Sequence, residues 1–203
     1  TEIKHQFMKI YVQVLIMVTF STLGYAQSTQ SQPWQLDLSA GVQSIYAPVK
    51  HLRWQRPEMV YQAAVHRMIG VKQRFALGIQ LGFSKNRYQG NAMYVQFIGQ
   101  YNPVIAGKIE LGLGTGIGYR LSGYPNAPLR WDGSNWATGK KTKGLLQVPL
   151  QLSVGYRSIH VRHTSIKPYA AVQLQSVLGY SPDLSFLPYS NISFGLKIQS
   201  HEK

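Results

Sequence analysis

Residues 109–121 read IELGLGTGIGYRL. Ile109, Leu111, Leu113, Ile117, Tyr119 and Leu121 fall on one parity, and Glu110, Gly112, Gly114, Gly116, Gly118 and Arg120 on the other. A period of two is the signature of a β-strand whose two faces meet different surroundings. Glycine in a strand costs about 0.5–1 kcal/mol against alanine, so four on one face need a cause. The expected cause is crowding in a narrow interior, where longer side chains from across it need room. Close backbone approach to a ligand is the alternative.

The rhythm recurs on both sides of this stretch. Upstream, Trp34, Leu36, Leu38, Ala40 and Val42 oppose Gln35, Asp37, Ser39, Gly41 and Gln43. A less regular segment runs from about Met59 to Ile69, followed by FALGIQLGF at 75–83 and a segment over Met93–Tyr101. Downstream, Leu146–Tyr156, Ala170–Tyr180 and Ile192–Ile198 alternate in the same way. The count is eight, and most segments supply the roughly 9–11 residues that cross a bilayer at a tilt. Short connections near 71–74, 103–107 and 158–166 alternate with longer ones near 48–57, 85–91, 122–144 and 181–189. That asymmetry predicts periplasmic turns and extracellular loops.

What fills the polar face separates a membrane barrel from a soluble one. A soluble barrel coats its outside with Lys, Glu and Asp, whereas here the polar parity is Gly, Gln, Ser and Ala. Charged residues are only 14% of the chain while hydrophobic ones are 44%, and the mean hydropathy is −0.14. The first figure is low for a soluble surface, and the last is too polar for a helical bundle. Trp34, Tyr46, Phe75, Phe83, Tyr101, Tyr119, Tyr156 and Tyr180 fall near strand ends on the apolar face, as interfacial girdles do. The fold class expected is therefore all-β: an eight-stranded antiparallel up-and-down transmembrane β-barrel.

Lys4 and Lys9 precede an apolar run from Ile10 to Leu23, and Gly24-Tyr25-Ala26 offers small residues around a cut before Gln27. This is the pattern of a signal peptide over 1–26, with Met8 a fitting initiator and residues 1–7 an upstream extension. The barrel domain is then 27–203. The chain has no cysteine, which excludes disulfides and thiolate metal sites.

Charges on the strands should point inward, because a charge in lipid is costly. Asp37 and Lys197 sit at matching heights on the first and last strands and are expected to touch once the barrel closes, with His66 nearby. Glu110 and Arg157 are expected to pair in the same way. The cluster Asp37, His66, Glu110, Arg157 and Lys197 reads as charge neutralisation in a packed lumen. Arg67 falls on the apolar face at a strand end, where it can snorkel. The net charge is +14, yet the basic residues are scattered, which disfavours nucleic acid and favours phosphorylated lipopolysaccharide as the anionic partner. The longest loop concentrates Arg130, Trp131, Trp136, Lys140, Lys141 and Lys143, a surface suited to contact. No catalytic, cofactor or metal site is expected. His163-Thr164-Ser165 has the spacing of a His-x-Ser element, but no acidic residue lies between Asp132 and Asp183 to orient the imidazole,.

The signal ending LGYAQ, the strings FALGIQLGF, IELGLGTGIGYR and VPLQLSVGYR, and the closing ISFGLKIQ resemble the small outer-membrane β-barrel families. They are of OmpX/OmpA-barrel type, more specifically the Bacteroidetes-type outer membrane protein β-barrel domain. The resemblance covers about 34–199. It implies a Gram-negative outer-membrane location and insertion by the barrel-assembly machinery. Such families often end in an aromatic residue, whereas this sequence ends Gln199-Ser200-His201-Glu202-Lys203. The function expected is non-enzymatic, structural or surface-interacting, in a monomer without cofactors. A narrow, porin-like passage for small solutes and a lipid A-modifying barrel enzyme are the alternatives.

Overall fold

The computed structural model describes residues 33–45, 58–70, 72–86, 90–127, 129–131, 133–156, 159–161, 164–179 and 186–200. In chain order the strands are β1 (Trp34–Ile45), β2 (Glu58–Ile69), β3 (Phe75–Ser84), β4 (Ala92–Tyr101), β5 (Val104–Ile105), β6 (Ile109–Gly123), β7 (Leu129–Trp131), β8 (Trp136–Thr138), β9 (Thr142–Tyr156), β10 (Ile159–Val161), β11 (Thr164–Leu178) and β12 (Phe186–Ser200). Eight of these close a ring in the order β1-β2-β3-β4-β6-β9-β11-β12, and β12 pairs back onto β1. Every neighbouring pair is antiparallel. Closure leaves no edge with unpaired backbone groups, the condition for a sheet surrounded by lipid.

The short strands extend this frame. β5 carries the β4 register on beyond Asn102-Pro103 to pair with the start of β6, the chain turning at 106–108, and β10 pairs with the start of β11. β7 and β8 form a separate hairpin between β6 and β9, on the long-loop end of the barrel. β11 and β12 begin at Thr164 and Phe186, earlier than the alternation alone suggests. The turn expected over 158–166 is correspondingly shorter, because 159–161 and 164 onward are strand.

Parity assigns the faces. Trp34, Phe75, Ile79, Leu81, Met93, Phe97, Ile117, Leu152 and Phe194 all point outward and are exposed. A soluble monomer rarely exposes apolar patches beyond a few hundred Å², so a surface made of such residues on every strand requires an apolar surrounding. Trp34, Phe75, Tyr101 and Tyr156 ring the short-turn end on the outside, with Phe75 and Tyr101 rings 4.8 Å apart and Arg67 lying 5.8 Å from the Trp34 ring. Tyr46 and Tyr180 lie outside the described residues.

Inside, the glycines work differently from the expectation. Side chains on adjacent strands, rather than from across the interior, fill their space. A Cβ at Gly118 would lie 2.7 Å from Gln96 Cγ, and one at Gly114 3.1 Å from Gln100 Cγ. These glutamines are the direct β4 partners of the two glycines. Gly116 instead meets backbone, at the Phe97 carbonyl. The β6–β9 ladder skips opposite Gly116 and Ile117, where Pro149 has no N–H to give,. Thr115 Oγ1 donates to the stranded Pro149 carbonyl at 3.1 Å.

Candidate functional site

The interior contains the chemistry-bearing side chains, in layers. At the short-turn end, Asp37, His66, Glu110 and Lys197 are all buried and face inward. Asp37 and Lys197 are direct partners across the β1–β12 seam, but the expected contact between their side chains is not what forms. Lys197 Nζ donates to Glu110 Oε1 at 2.9 Å and to Asn102 Oδ1 at 3.3 Å. A lysine is long enough to span the narrow lumen, and the carboxylate on β6 already has a second cation beside it. Lys167 Nζ donates to the other Glu110 oxygen at 3.0 Å. Both Glu110 oxygens thus face lysines, while Arg157, the partner expected for Glu110, lies outside the described residues.

Asp37 is held instead by Tyr169, whose hydroxyl donates to Asp37 Oδ1 at 2.6 Å. His66 Nε2 stands 4.0 Å from Asp37 Oδ2. The Lys197 ammonium lies 5.4 Å from the Tyr169 ring. Room for that ring comes from its two cross-strand partners, Gly155 and Gly195. A Cβ would sit 2.8 Å from Tyr169 Cβ at Gly155 and 2.7 Å from Tyr169 Cε1 at Gly195.

Lys167, Tyr169 and Asn102 were not singled out from the sequence. Ser165, Lys167 and Tyr169 share the parity of Ala171, Gln173 and Gln175. Extending that parity through Pro168 would have found them. The same extension places Ser165 inside the barrel at 2% exposure on β11, rather than on a periplasmic turn. His163 lies outside the described residues. A buried serine facing a packed interior is out of reach of an acyl chain in the surrounding lipid.

Midway up, neutral amides take over. Gln62 Nε2 donates to Gln173 Oε1 at 2.6 Å and to the Tyr94 hydroxyl at 2.9 Å. Gln175 Nε2 donates to the same Gln173 oxygen at 3.1 Å, and Ser39 Oγ donates to Gln62 Oε1 at 3.1 Å. Tyr94 lies against Gly82, where a Cβ would collide with its ring. Nearer the loops, Arg120 stacks 4.2 Å from the Tyr189 ring centre and donates to Ser122 Oγ at 3.1 Å and Gln175 Oε1 at 3.3 Å. Leu145, Val177 and Tyr189 pack beside it as a small apolar cluster. The void beside Arg120 and Tyr189 measures about 10 Å³ and the one between the Asp37–His66–Tyr169 group and the middle glutamines nothing at all, where one water needs about 10–15 Å³.

At the long-loop end, the β7–β8 hairpin sets Trp131 opposite Trp136, edge to face at 5.4 Å. Both rings are exposed, as is Leu129 on the same face. Lys140 and Lys141 follow in the exposed connection to β9, and Lys143 Nζ donates to the Gly179 carbonyl at 2.7 Å. Of Arg130, only its backbone place in β7 is described.

No protein-family model matches the sequence, and no curated protein matches it. Among solved structures, Neisserial surface protein A matches 85% of this chain and 98% of its own, with a TM-score of 0.53 and 7% identity. The N-terminal β-barrel domain of Pseudomonas aeruginosa OprF matches 82% of this chain and 98% of its own, with a TM-score of 0.48 and 8% identity. The chain has the fold of the small eight-stranded outer-membrane barrels, and its apolar outer belt is the surface such a barrel presents to lipid.

Proposed function

We propose that the chain is a plugged, non-enzymatic barrel of a Gram-negative outer membrane that serves as a surface-interaction element. Export by a signal peptide over 1–26, outside the described residues, and insertion by the barrel-assembly machinery as a monomer belong to the same reading. The observation that carries it is the closed middle of the interior. The amide network around Gln62, Gln173 and Tyr94 borders voids of about 10 Å³ or none, which supports a plugged interior. A barrel with no passage acts through what it displays. The display here is the exposed Trp131–Trp136 pair with Lys140 and Lys141 beside it. Aromatic faces and lysines together suit a phosphorylated glycolipid or another anionic amphiphile.

Two measurements test this. In planar bilayers the purified barrel is expected to give no stable single-channel openings; steady openings would replace the plugged barrel with a small-solute pore. In nanodiscs, the barrel is expected to capture lipopolysaccharide-bearing vesicles over zwitterionic ones. Combining Trp131→Ala and Trp136→Ala with Lys140→Gln and Lys141→Gln should remove that preference. An unchanged preference would sink the loop surface as the contact.

A further inference from the structure

The short-turn end of the interior is open where the middle is closed. A cavity of about 580 Å³ lies there, lined by Lys72, Arg74, Asn102, Glu110 and Lys167 among others. That volume falls in the range of small-molecule sites. Its charge balance is lopsided. Among the described residues, Lys72, Arg74 and Lys167 contribute three cations to the lining and Glu110 the one carboxylate. Glu110 is already occupied on both oxygens, by Lys167 and by Lys197 behind it. Asp37, the next carboxylate inward, is capped by Tyr169. Neither Lys72 nor Arg74 has an ion-pair partner among the described residues.

The backbone at the rim is specialised as well. Gln73 and Ala106 are the non-glycine residues with positive φ among those described, at 47° and 49°. They sit in the two turns that border this cavity, 70–74 and 105–108. Residues held in this region of backbone space are uncommon and cluster at ligand sites and switches. The Gln73 N–H closes its turn onto the Gly70 carbonyl at 3.0 Å, which sets Lys72 and Arg74 on either side of Gln73 at the mouth. The Asn102 N–H, donating to the Arg74 carbonyl at 2.7 Å, ties that turn to the cavity wall.

We propose that this mouth is a binding site for a small soluble oxyanion of at least two negative charges, entering from the short-turn side. Arg74 offers a planar fork and Lys72 and Lys167 point charges, a set that recognises phosphate or carboxylate groups by charge and hydrogen bonding together. The filled interior above stops the ligand from passing on, so the site is a receptacle and not the entrance to a channel.

The test is calorimetric titration of the full barrel in zwitterionic micelles with pyrophosphate and, separately, citrate. One saturable site per barrel is expected for at least one probe, weakening as ionic strength rises from about 0.01 to 0.15 M. The double variant Lys72→Gln/Arg74→Gln should bind at least tenfold more weakly. Lys167→Gln should weaken binding while Lys197 still holds Glu110. Lys140→Gln/Lys141→Gln, at the opposite end, should leave binding unchanged. Heat-dependent gel mobility establishes that each variant is folded. No saturable uptake of either probe, uptake that persists in the double mouth variant, or uptake lost with the loop lysines would each overturn the proposal. None of these outcomes depends on what the loop surface binds.

Discussion

At the short-turn end the interior is ionic: two lysines converge on Glu110, and Asp37 sits between Tyr169 and His66. Towards the loops the interior is built mainly of amides, with glutamines joined to Tyr94 and, among the described residues, one arginine stacked on Tyr189. The ionic end adjoins a cavity of about 580 Å³ at its mouth, while the void between Asp37, His66 and the middle glutamines has no room for water and the one beside Arg120 measures about 10 Å³. The contrast follows from solvation. Glu110 and Lys167 line the open mouth, where nearby water lowers the cost of holding ions; deeper in, Asp37 and Lys197 rely on their hydrogen-bond partners. Amides can close the middle because each both donates and accepts, so they join one another without any charge to compensate.

Glu110→Gln strikes the ionic end hardest. It leaves Lys197, whose side chain is 3% exposed, without its carboxylate, and breaking a buried pair in this way costs about 3–5 kcal/mol. A large fall in the urea midpoint of the refolded barrel is the expected readout; a change below about 1 kcal/mol would mean that water, not Glu110, solvates the lysines. Tyr169→Phe removes the donor to Asp37 and should cost about 1.5–3 kcal/mol, with Asp37→Asn/Tyr169→Phe closing a double-mutant cycle on that bond. Gly82→Val probes the neutral half by forcing a branched side chain against the Tyr94 ring, for about 1–3 kcal/mol of overpacking. Loss of the heat-resistant gel mobility is the readout. Lys167→Gln is the mildest, at about 1 kcal/mol, because its side chain is 14% exposed and Lys197 remains on Glu110. If Lys167→Gln proved as damaging as Glu110→Gln, the distinction between a wet ionic end and a dry neutral middle would fail.

The face assignment was legible in the sequence wherever lipid and lumen demand opposite polarity. Parity alone placed Asp37, His66, Glu110 and Lys197 inside. It lost its grip where the two sides stop differing. Near the loops, Leu187 and Tyr189 belong to the inward set of β12, so apolar residues on that parity hid the first part of the strand. Near the turns, Pro168 interrupted the apolar set of β11 and Lys167 put a charge beside it, which made strand look like turn. Pairing partners were less legible still. Register puts Asp37 beside Lys197, but in a narrow tube a long side chain can reach any wall. The choice of Glu110 is set by where the other cations and the Tyr169 hydroxyl lie, which no one-dimensional pattern records. The loop residues Trp131 and Trp136 were found as a composition, and only the β7–β8 register turned them into a face-sharing pair.

The seam between β1 and β12 joins the first described strand to the last. Both neighbours of every barrel strand are therefore in place only when β12 has arrived. Until then β1 and β11 each carry a row of unpaired N–H and C=O groups, which hydrocarbon cannot solvate. A product truncated before Phe186 has no smaller barrel to fall back on, since removing one strand leaves an open sheet with two raw edges. The architecture thus acts as a checkpoint: the membrane-embedded form is accessible to a chain that carries both β1 and β12 and closed to one that lacks either.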